Sequence, residues 1–161
     1  DIHINLSAIA KGYAVDEIAR LIKGSGVTNF LVEIGGEVLA SGTNNGDHWI
    51  VGIERPDNKT PIGLELIDAS IATSGNYRNF FIWEGAKYMH IFNPTTGLPA
   101  NNDLTSVSVI HPQSAMSDAY ATAMMAMGSS RAIELAKKMK LSVLLMAIKE
   151  DNVEIIKVNL P

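Results

Sequence analysis

One apolar segment, residues 117–128, constrains the fold of this chain more than any other stretch of its sequence. Alanine and methionine dominate it, and no proline or β-branched run interrupts it, so it is predicted to form an α-helix. Because nearly every side of this helix is apolar, we expect it to be buried, with Gly128 at its end. Pro112 precludes an earlier start, and Ser114 or Ser117 is expected to cap the helix through a side-chain oxygen.

Two polar residues of this segment, Asp118 and Thr122, are four positions apart and therefore lie on one helix face. A carboxylate on an apolar helix needs a partner, and two interpretations remain open. In one, Asp118 lies in the first turn and complements the helix dipole, while Thr122 hydrogen-bonds back to the carbonyl of residue 118. In the other, both are oxygen ligands of a hard cation such as Mg²⁺, which often takes only one or two protein carboxylates.

Size and composition narrow the class of protein. With 161 residues, 47% of them hydrophobic, the chain is predicted to be a single domain with an ample core. A net charge of −4 and the lack of a basic run argue against nucleic-acid binding. There is no cysteine for a disulfide or a thiolate metal site, and no apolar stretch long enough to span a membrane. The sequence begins abruptly in a strand-like pattern at residues 2–4, so we expect an upstream segment to be missing.

Hydrophobic periodicity and turn residues predict the other elements. Further helices are predicted at 8–23 and 131–140. Strands are predicted at 27–34, 37–42, 49–53, 62–67, 70–78, 80–83, 87–92, 104–110, 141–148 and 153–158. This mixed order of strands, hairpins and helices predicts an α+β fold, in which a largely antiparallel mixed sheet packs with helices.

Three glycine-bearing positions suggest contact with another group. Gly12 is a poor helix residue near the start of a predicted helix, and either close packing against a backbone or room for a ligand explains it. The pair Gly35 and Gly36 is either a hairpin turn or a bulge. At the end of a predicted strand, the small polar run Thr73, Ser74 and Gly75 is typical of binding loops beside a rigid sheet.

His90 is the one histidine followed by a loop rich in turn residues, since Asn93, Pro94 and Gly97 come soon after it. A single histidine is commonly structural. It is also the side chain that titrates near neutral pH, which suits a general base if a nucleophile must be deprotonated. No pair of histidines has the spacing of a zinc site.

Taken together, three sequence blocks resemble the ApbE family of flavin transferases. They are Asn5-Leu6-Ser7-Ala8-Ile9-Ala10-Lys11-Gly12-Tyr13-Ala14-Val15-Asp16, then Ala72-Thr73-Ser74-Gly75-Asn76-Tyr77 with His90-Ile91-Phe92-Asn93-Pro94-Thr95-Thr96-Gly97, and finally Ser117-Asp118-Ala119-Tyr120-Ala121-Thr122-Ala123. The pair Gly35 and Gly36 also falls where the family has one. The resemblance covers essentially the whole chain.

The resemblance implies a Mg²⁺-dependent enzyme that takes FAD, joins its FMN half to a threonine hydroxyl of a target protein as a phosphoester, and releases AMP. The implied acceptors are subunits of Nqr- and Rnf-type redox complexes. The family's members are typically periplasmic and membrane-anchored, so the full protein is expected at the inner membrane, through a lipid anchor outside this chain. Two alternatives remain: an FAD pyrophosphatase that yields FMN and AMP, and a non-catalytic flavin-binding module.

Carried over residue by residue, the resemblance implies roles for ten positions. The cation would be bound by Asp118, Thr122 and the backbone carbonyl of Ala8, and His90 would be the general base. The flavin nucleotide would contact Asn5, Lys11, Phe92, Thr73, Ser74 and Gly75. Two positions depart from the family, which usually has Asp where this chain has Asn5 and Asn93. Asparagine keeps the hydrogen-bonding ability and loses the charge, so the first change is expected to affect FAD or cation binding and the second to matter little if the side chain only shapes a turn.

Overall fold

A computed structural model describes residues 4–76, 80–83, 86–150 and 152–160, with the backbone alone for 80–83 and 86–89. The helices in these ranges are α1 Ala10–Gly24, α2 Ser114–Met127 and α3 Ser129–Met139. The strands are β1 Phe30–Ile34, β2 Glu37–Ser41, β3 Trp49–Ile53, β4 Ile62–Leu66, β5 Ala69–Gly75, β6 Phe80–Trp83, β7 Ala86–Met89, β8 Leu104–His111, β9 Ser142–Lys149 and β10 Asn152–Val158. None of the helices described is long and apolar enough to cross a membrane.

Six strands form one sheet in the order β1-β2-β5-β8-β9-β10, and each neighbouring pair in it is antiparallel. Hairpins β3-β4 and β6-β7 form separate two-stranded sheets. Helix α2 packs on β5 and β8, α1 packs on α2 and on β1 and β2, and α3 packs beside α2 and β9. The predicted α+β fold with a largely antiparallel sheet is therefore confirmed.

The core has two layers, one on each face of this sheet. Because successive strand residues point to opposite faces, alternate apolar positions of β8 and β9 face the helices, where Met124 and Met125 of α2 are fully buried. The other face packs against the β3-β4 hairpin, with Leu66 and Ile71 buried between them. Each residue of α2 is buried or half-buried, as predicted for an apolar helix, and Gly128 ends it with a φ of 82°.

The structure corrects the predicted cap of α2. The residue before the helix is Gln113, and no side chain of its own segment caps it. The hydroxyl of Ser114 has no partner among the described residues, and that of Ser117 is hydrogen-bonded to the hydroxyl of Ser70. Asp16 of α1 takes their place, because its carboxylate accepts hydrogen bonds from the N–H groups of Ser114 and Ala115 at the start of α2. The prediction of a serine cap was wrong because the capping group comes from another helix and not from the residues next to α2.

Other differences concern element ends. Helix α1 begins two residues later than predicted, after a turn in which the N–H groups of Ile9 and Ala10 donate to the carbonyl of Leu6. Strand β1 begins three residues later than predicted. Strand β7 ends at Met89, and the chain beyond it forms a loop instead of extending the predicted hairpin. The strand predicted at 2–4 lies outside the described residues except for Ile4, which is not in a strand, and the hairpin turn at 84–85 also lies outside them.

Candidate functional site

Helices α1 and α2 cap each other where they cross. The carboxylate of Asp16 in α1 accepts hydrogen bonds from the backbone N–H groups of Ser114 and Ala115 at 2.7 and 2.9 Å. In return, Oδ2 of Asp118 in α2 accepts one from the N–H of Gly12 at 3.1 Å. N–H groups in the first turn of a helix have no partner within the helix, so each carboxylate satisfies donors of the other helix.

Gly12 is required by the close approach of the two helices. A Cβ atom built on it would lie 2.3 Å from the carbonyl oxygen of Ser114, well inside van der Waals contact. Of the two explanations for this glycine, the structure supports close packing against a backbone. The absence of a side chain is what allows Asp118 to reach the Gly12 N–H.

Asp118 is 3% exposed and is the fifth residue of α2, beyond its first turn. The interpretation that it complements the dipole of its own helix is therefore wrong, since it caps α1 instead. The same interpretation expected Thr122 to hydrogen-bond to the carbonyl of residue 118. Its hydroxyl is instead hydrogen-bonded to the hydroxyl of Ser74 on β5, with 2.9 Å between the oxygens. Both side chains thus face away from their own helix backbone.

The bond from Gly12 to Asp118 leaves the carbonyl of Ala8 without its usual partner. In a regular helix the N–H of Gly12 would donate to the carbonyl four residues earlier, which is that of Ala8. The next N–H, that of Tyr13, does follow this rule and donates to Ile9 at 2.9 Å. Among the described residues, no hydrogen bond to the Ala8 carbonyl is formed. One oxygen at the start of α1 is therefore available to a ligand.

These groups line one cavity of about 460 Å³. Its lining comprises Asn5, Ser7, Ala8, Lys11, Gly35, Glu37, Thr73, Ser74, Gly75, His90, Ile91, Asp118 and Thr122. Of the ten site residues predicted from the sequence, Phe92 lies outside this lining: it is 56% exposed and pairs with Pro99 across the loop. The other nine, from four separate parts of the chain, are brought together.

The strand β5 presents different groups on its two faces. Ser74 points to α2 and orients the hydroxyl of Thr122, as described above. Thr73 points the other way, and its hydroxyl is hydrogen-bonded to that of Ser108 on the neighbouring strand at 2.8 Å. Ser74, expected to contact the nucleotide, is therefore also a partner of one predicted cation ligand, and outer partners of this kind orient metal ligands.

Glu37 is a site residue that sequence reasoning missed. Its side chain is 2% exposed, and Oε1 accepts a hydrogen bond from Nζ of Lys11 at 2.7 Å. Burial raises the pKa of Glu37, while the hydrogen bond and charge of Lys11 oppose that rise. Its only signal in the sequence is a carboxylate directly after Gly35 and Gly36, which form the tight turn between β1 and β2 with φ values of 58° and 99°.

The histidine side of the cavity is a loop. His90 is exposed and follows β7, and Ile91 behind it is buried. The loop is closed by backbone hydrogen bonds from Ala100 to Ile91 and from Asn93 to Leu98, both 2.8 Å. The side chain of Asn93 accepts a hydrogen bond from the Thr95 N–H at 2.9 Å, so it shapes the turn.

Asn5, which also stands where the family usually has Asp, has a comparable local role. Its side-chain oxygen accepts a hydrogen bond from the N–H of Ser7 at 2.8 Å, just before α1. An aspartate would accept the same bond, so the backbone geometry does not require a charge at this position. An aspartate here would add a negative charge to the cavity, and this chain lacks that charge.

The donor set fits a small hard cation. A carbonyl (Ala8), a carboxylate (Asp118) and a hydroxyl (Thr122) supply three oxygens, and Asp118 uses only Oδ2 for Gly12. No group of three His, Cys, Asp or Glu side chains that could hold a metal is found in the described part of the chain. Sites with a single carboxylate and neutral oxygens suit Mg²⁺, which keeps waters or takes phosphate oxygens for its other positions.

Comparisons with known proteins identify relatives of this chain. The chain is 40% identical over 156 residues to the FAD:protein FMN transferase of Vibrio cholerae, covering 94% of the chain and 46% of that protein. It is 34% identical over 156 residues to the FAD:protein FMN transferase of Escherichia coli K12, covering 94% of the chain and 44% of that protein. The chain thus spans about half the length of these relatives.

Solved structures give the same result. The flavin transferase ApbE from Vibrio cholerae superposes with a TM-score of 0.88 at 37% identity, over 96% of this chain and 50% of that one. The flavinyl transferase ApbE from Pseudomonas stutzeri, in its apo form, gives a TM-score of 0.84 at 32% identity, over 94% and 48%. The model of the ApbE family matches residues 1–145, and the chain therefore belongs to the ApbE family.

Proposed function

We propose that this chain forms part of a Mg²⁺-dependent FAD:protein FMN transferase, which moves FMN from FAD to a threonine hydroxyl of another protein. One observation carries the proposal: the Ala8 carbonyl, Asp118 and Thr122 line the same cavity as Lys11 and His90. An oxygen site for a cation, an ammonium for phosphate and a side chain that can accept a proton are groups that serve phosphoryl transfer. The activity for which the relatives are named supports the choice of flavin as the group transferred.

Each group has a distinct role in this proposal. Asp118, Thr122 and the carbonyl of Ala8 would hold Mg²⁺, which when bound neutralises negative charge on the pyrophosphate of FAD. The ammonium of Lys11 donates to a phosphate oxygen, a charge-assisted hydrogen bond. Asn5 and the run from Thr73 to Gly75 contact the nucleotide beside them. Phe92, exposed on the loop, would contact the flavin from outside the cavity.

The reaction is an in-line displacement at the phosphorus of the FMN half. The threonine oxygen of the acceptor forms a new P–O bond there, while the bond from that phosphorus to the bridging oxygen breaks. AMP leaves with the bridging oxygen and its electron pair. His90, at the exposed end of the cavity, takes the threonine proton. The products are a phosphoester-linked flavoprotein and AMP, so atoms and charges balance.

The acceptor and the cellular location belong to the same proposal and rest on the family resemblance. The acceptor would be a subunit of an Nqr- or Rnf-type redox complex. The protein would act in the periplasm, anchored to the inner membrane by a lipid outside this chain. Protease digestion of spheroplasts tests the location, because a periplasmic protein is degraded while a cytoplasmic marker survives.

The activity is tested by incubating the intact protein with FAD, Mg²⁺ and an acceptor that carries the threonine. We expect flavin fluorescence on the acceptor band of a denaturing gel and one AMP released for each flavin attached. Asp118→Ala should abolish both signals. Asp47→Ala, in the exposed turn before β3, is the matched control and should leave them unchanged.

The same experiment separates the alternatives. Free FMN and AMP with no flavin on the acceptor would indicate an FAD pyrophosphatase. Tight binding of FAD with no AMP would indicate a flavin-binding module. Either result from the wild-type protein with a competent acceptor contradicts the transferase proposal, and so does labelling that persists undiminished in Asp118→Ala.

A further inference from the structure

The carboxylate of Glu37, in the lining of the cavity, has a partner within the described part of the chain for only one of its two oxygens. Oε1 pairs with Lys11, and Oε2 has no hydrogen-bond partner among the described residues although the side chain is 2% exposed. A buried carboxylate costs stability unless its oxygens are paired and hydrogen-bonded. Glu37 also faces a second negative charge, that of Asp118, which further disfavours its ionised form. A structural role alone gives no reason for this arrangement.

Lys11, by contrast, gains a defined position from the pair. Lysine has four side-chain torsions, and 47% of this side chain is exposed, so an unrestrained ammonium would be disordered. Its Nζ is 2.7 Å from Oε1 of Glu37 and 3.4 Å from the carbonyl oxygen of Gly35. A Cβ built on Gly35 would be 3.4 Å from Cδ of Lys11, so the lysine stem packs along the turn between β1 and β2.

We propose that Glu37 is a positioning residue that holds the Lys11 ammonium in the cavity for a phosphate oxygen of the flavin nucleotide. This inference rests on the proposed function, because it takes FAD as the ligand. Glu37 lies outside the sequence blocks that carry the family resemblance. Glu37 does not touch the nucleotide in this proposal and acts through Lys11.

The ion pair also gives the carboxylates of Glu37 and Asp118 different roles in the cavity. Lys11 is ion-paired with Glu37 and not with Asp118, although both carboxylates line the same cavity. Asp118 therefore keeps Oδ1 available for a cation, while Glu37 neutralises the lysine in the free protein. When a phosphate arrives, Lys11 can donate to it through another of its three N–H groups without leaving Glu37.

The test is a double-mutant cycle on FAD affinity. Wild type, Glu37→Gln, Lys11→Met and the double variant of the intact protein are titrated with FAD in the presence of Mg²⁺, followed by quenching of flavin fluorescence. Glutamine keeps the shape of Glu37 and removes its charge, and methionine keeps the lysine stem. We expect Glu37→Gln to weaken FAD binding about tenfold in the wild-type background and to have no further effect beside Lys11→Met.

Controls separate positioning from a structural role. Glu33→Gln, on the neighbouring strand and exposed, should leave FAD affinity unchanged. Burial raises the pKa of Glu37, so the folded wild type loses stability as the pH rises through that raised value. The Glu37→Gln variant has no such loss, so it should melt at or above the wild-type temperature at neutral pH. If Glu37 served only to stabilise the fold, this variant would melt below the wild type. If this variant does not fold, Glu37→Asp replaces it. The shorter side chain moves the carboxylate away from Nζ of Lys11, and we expect a smaller loss of FAD affinity that likewise disappears beside Lys11→Met.

The outcomes are distinct. Unchanged FAD affinity in Glu37→Gln, or effects that add in the double variant, would overturn the positioning role. The cycle needs no acceptor, so a coupled cycle without flavin transfer would leave Glu37 in place and reject the proposed function. Flavin transfer with an uncoupled cycle would support the proposed function and reject the positioning role of Glu37.

Discussion

The two sides of the cavity are built by different kinds of contact. The helix side, formed by α1 and α2, depends on hydrogen bonds between residues 98 and 106 positions apart, from Ser114 to Asp16 and from Gly12 to Asp118. The loop side, from His90 to Pro99, depends on local bonds such as that from Thr95 to Asn93, two positions apart. The proposed cation ligands are therefore positioned by tertiary structure, whereas the histidine is carried by a turn that closes on itself.

This difference predicts how the two sides respond to substitution. A change at the helix crossing should alter stability and the site together, because the same atoms serve both. A change in the loop should have little effect on stability. Substitutions at four positions test this contrast, and the largest effect is expected at the helix crossing.

Gly12→Ala should break the helix crossing. The new Cβ would lie 2.3 Å from a backbone oxygen, and backbone atoms cannot move aside as a flexible side chain can. We expect the free energy of unfolding, measured by urea denaturation of the intact protein, to fall by about 3 kcal/mol. Gly24→Ala is the matched control: no described atom lies within 4 Å of its added Cβ, and it should be neutral or slightly stabilising. Equal losses in both variants would refute the crossing argument.

Asp118→Asn should separate the two roles of this residue. The amide oxygen can still accept the hydrogen bond from the Gly12 N–H, so the variant should remain folded. A cation in the proposed site would lose the one carboxylate among its proposed ligands, and we expect the rate of flavin transfer to fall at least about 100-fold. The dependence of the rate on Mg²⁺ concentration checks the cause, since the loss should be partly recovered at high Mg²⁺. A variant as active as the wild type would remove Asp118 from the cation site.

Asp16→Ala should affect stability more than chemistry. It removes the acceptor for two N–H groups at the start of α2, and losing a helix cap costs about 1 to 2 kcal/mol. Because Asp16 does not line the cavity, the affinity for Mg²⁺ should weaken by no more than about threefold, through the shift of α2. Asp16→Asn, with one oxygen left to accept, should lie between wild type and alanine. A large loss of Mg²⁺ affinity with unchanged stability would contradict this order.

Much of the fold was accessible from the sequence because local patterns determine it. The apolar run around Met124 and Met125, the alternation in the strands and the pair Gly35 and Gly36 each act over a few residues. Errors arose where distant residues intervene, as in the cap of α2, which Asp16 supplies from another helix. Neither propensity nor periodicity contains that information, because the two partners are adjacent only after the chain has folded.

The site shows the same limit. Spacing placed Asp118 and Thr122 on one face, but it could not show that Gly12 diverts its N–H to Asp118 and so frees the carbonyl of Ala8. The sequence did not predict Glu37 as a site residue for a related reason, since a carboxylate after a hairpin turn is ordinarily exposed. What makes it unusual is burial under Lys11, a contact between α1 and β2.

Asn93→Asp should have the smallest effect of the four substitutions. It tests the loop side of the cavity, where a change should have little effect on stability. The carboxylate can accept the same hydrogen bond from the Thr95 N–H that the amide oxygen accepts now, at 2.9 Å. The side chain lies outside the lining of the cavity, so its new charge is largely screened from the site. We expect the free energy of unfolding to change by less than about 0.5 kcal/mol and the transfer rate by less than about threefold. Asn93→Ala is the comparison, because it removes the acceptor and loosens the turn that carries His90. If aspartate alone changed the rate more than tenfold at unchanged stability, the charge at this position would act on the reaction itself, and the loop would be part of the electrostatics of the site.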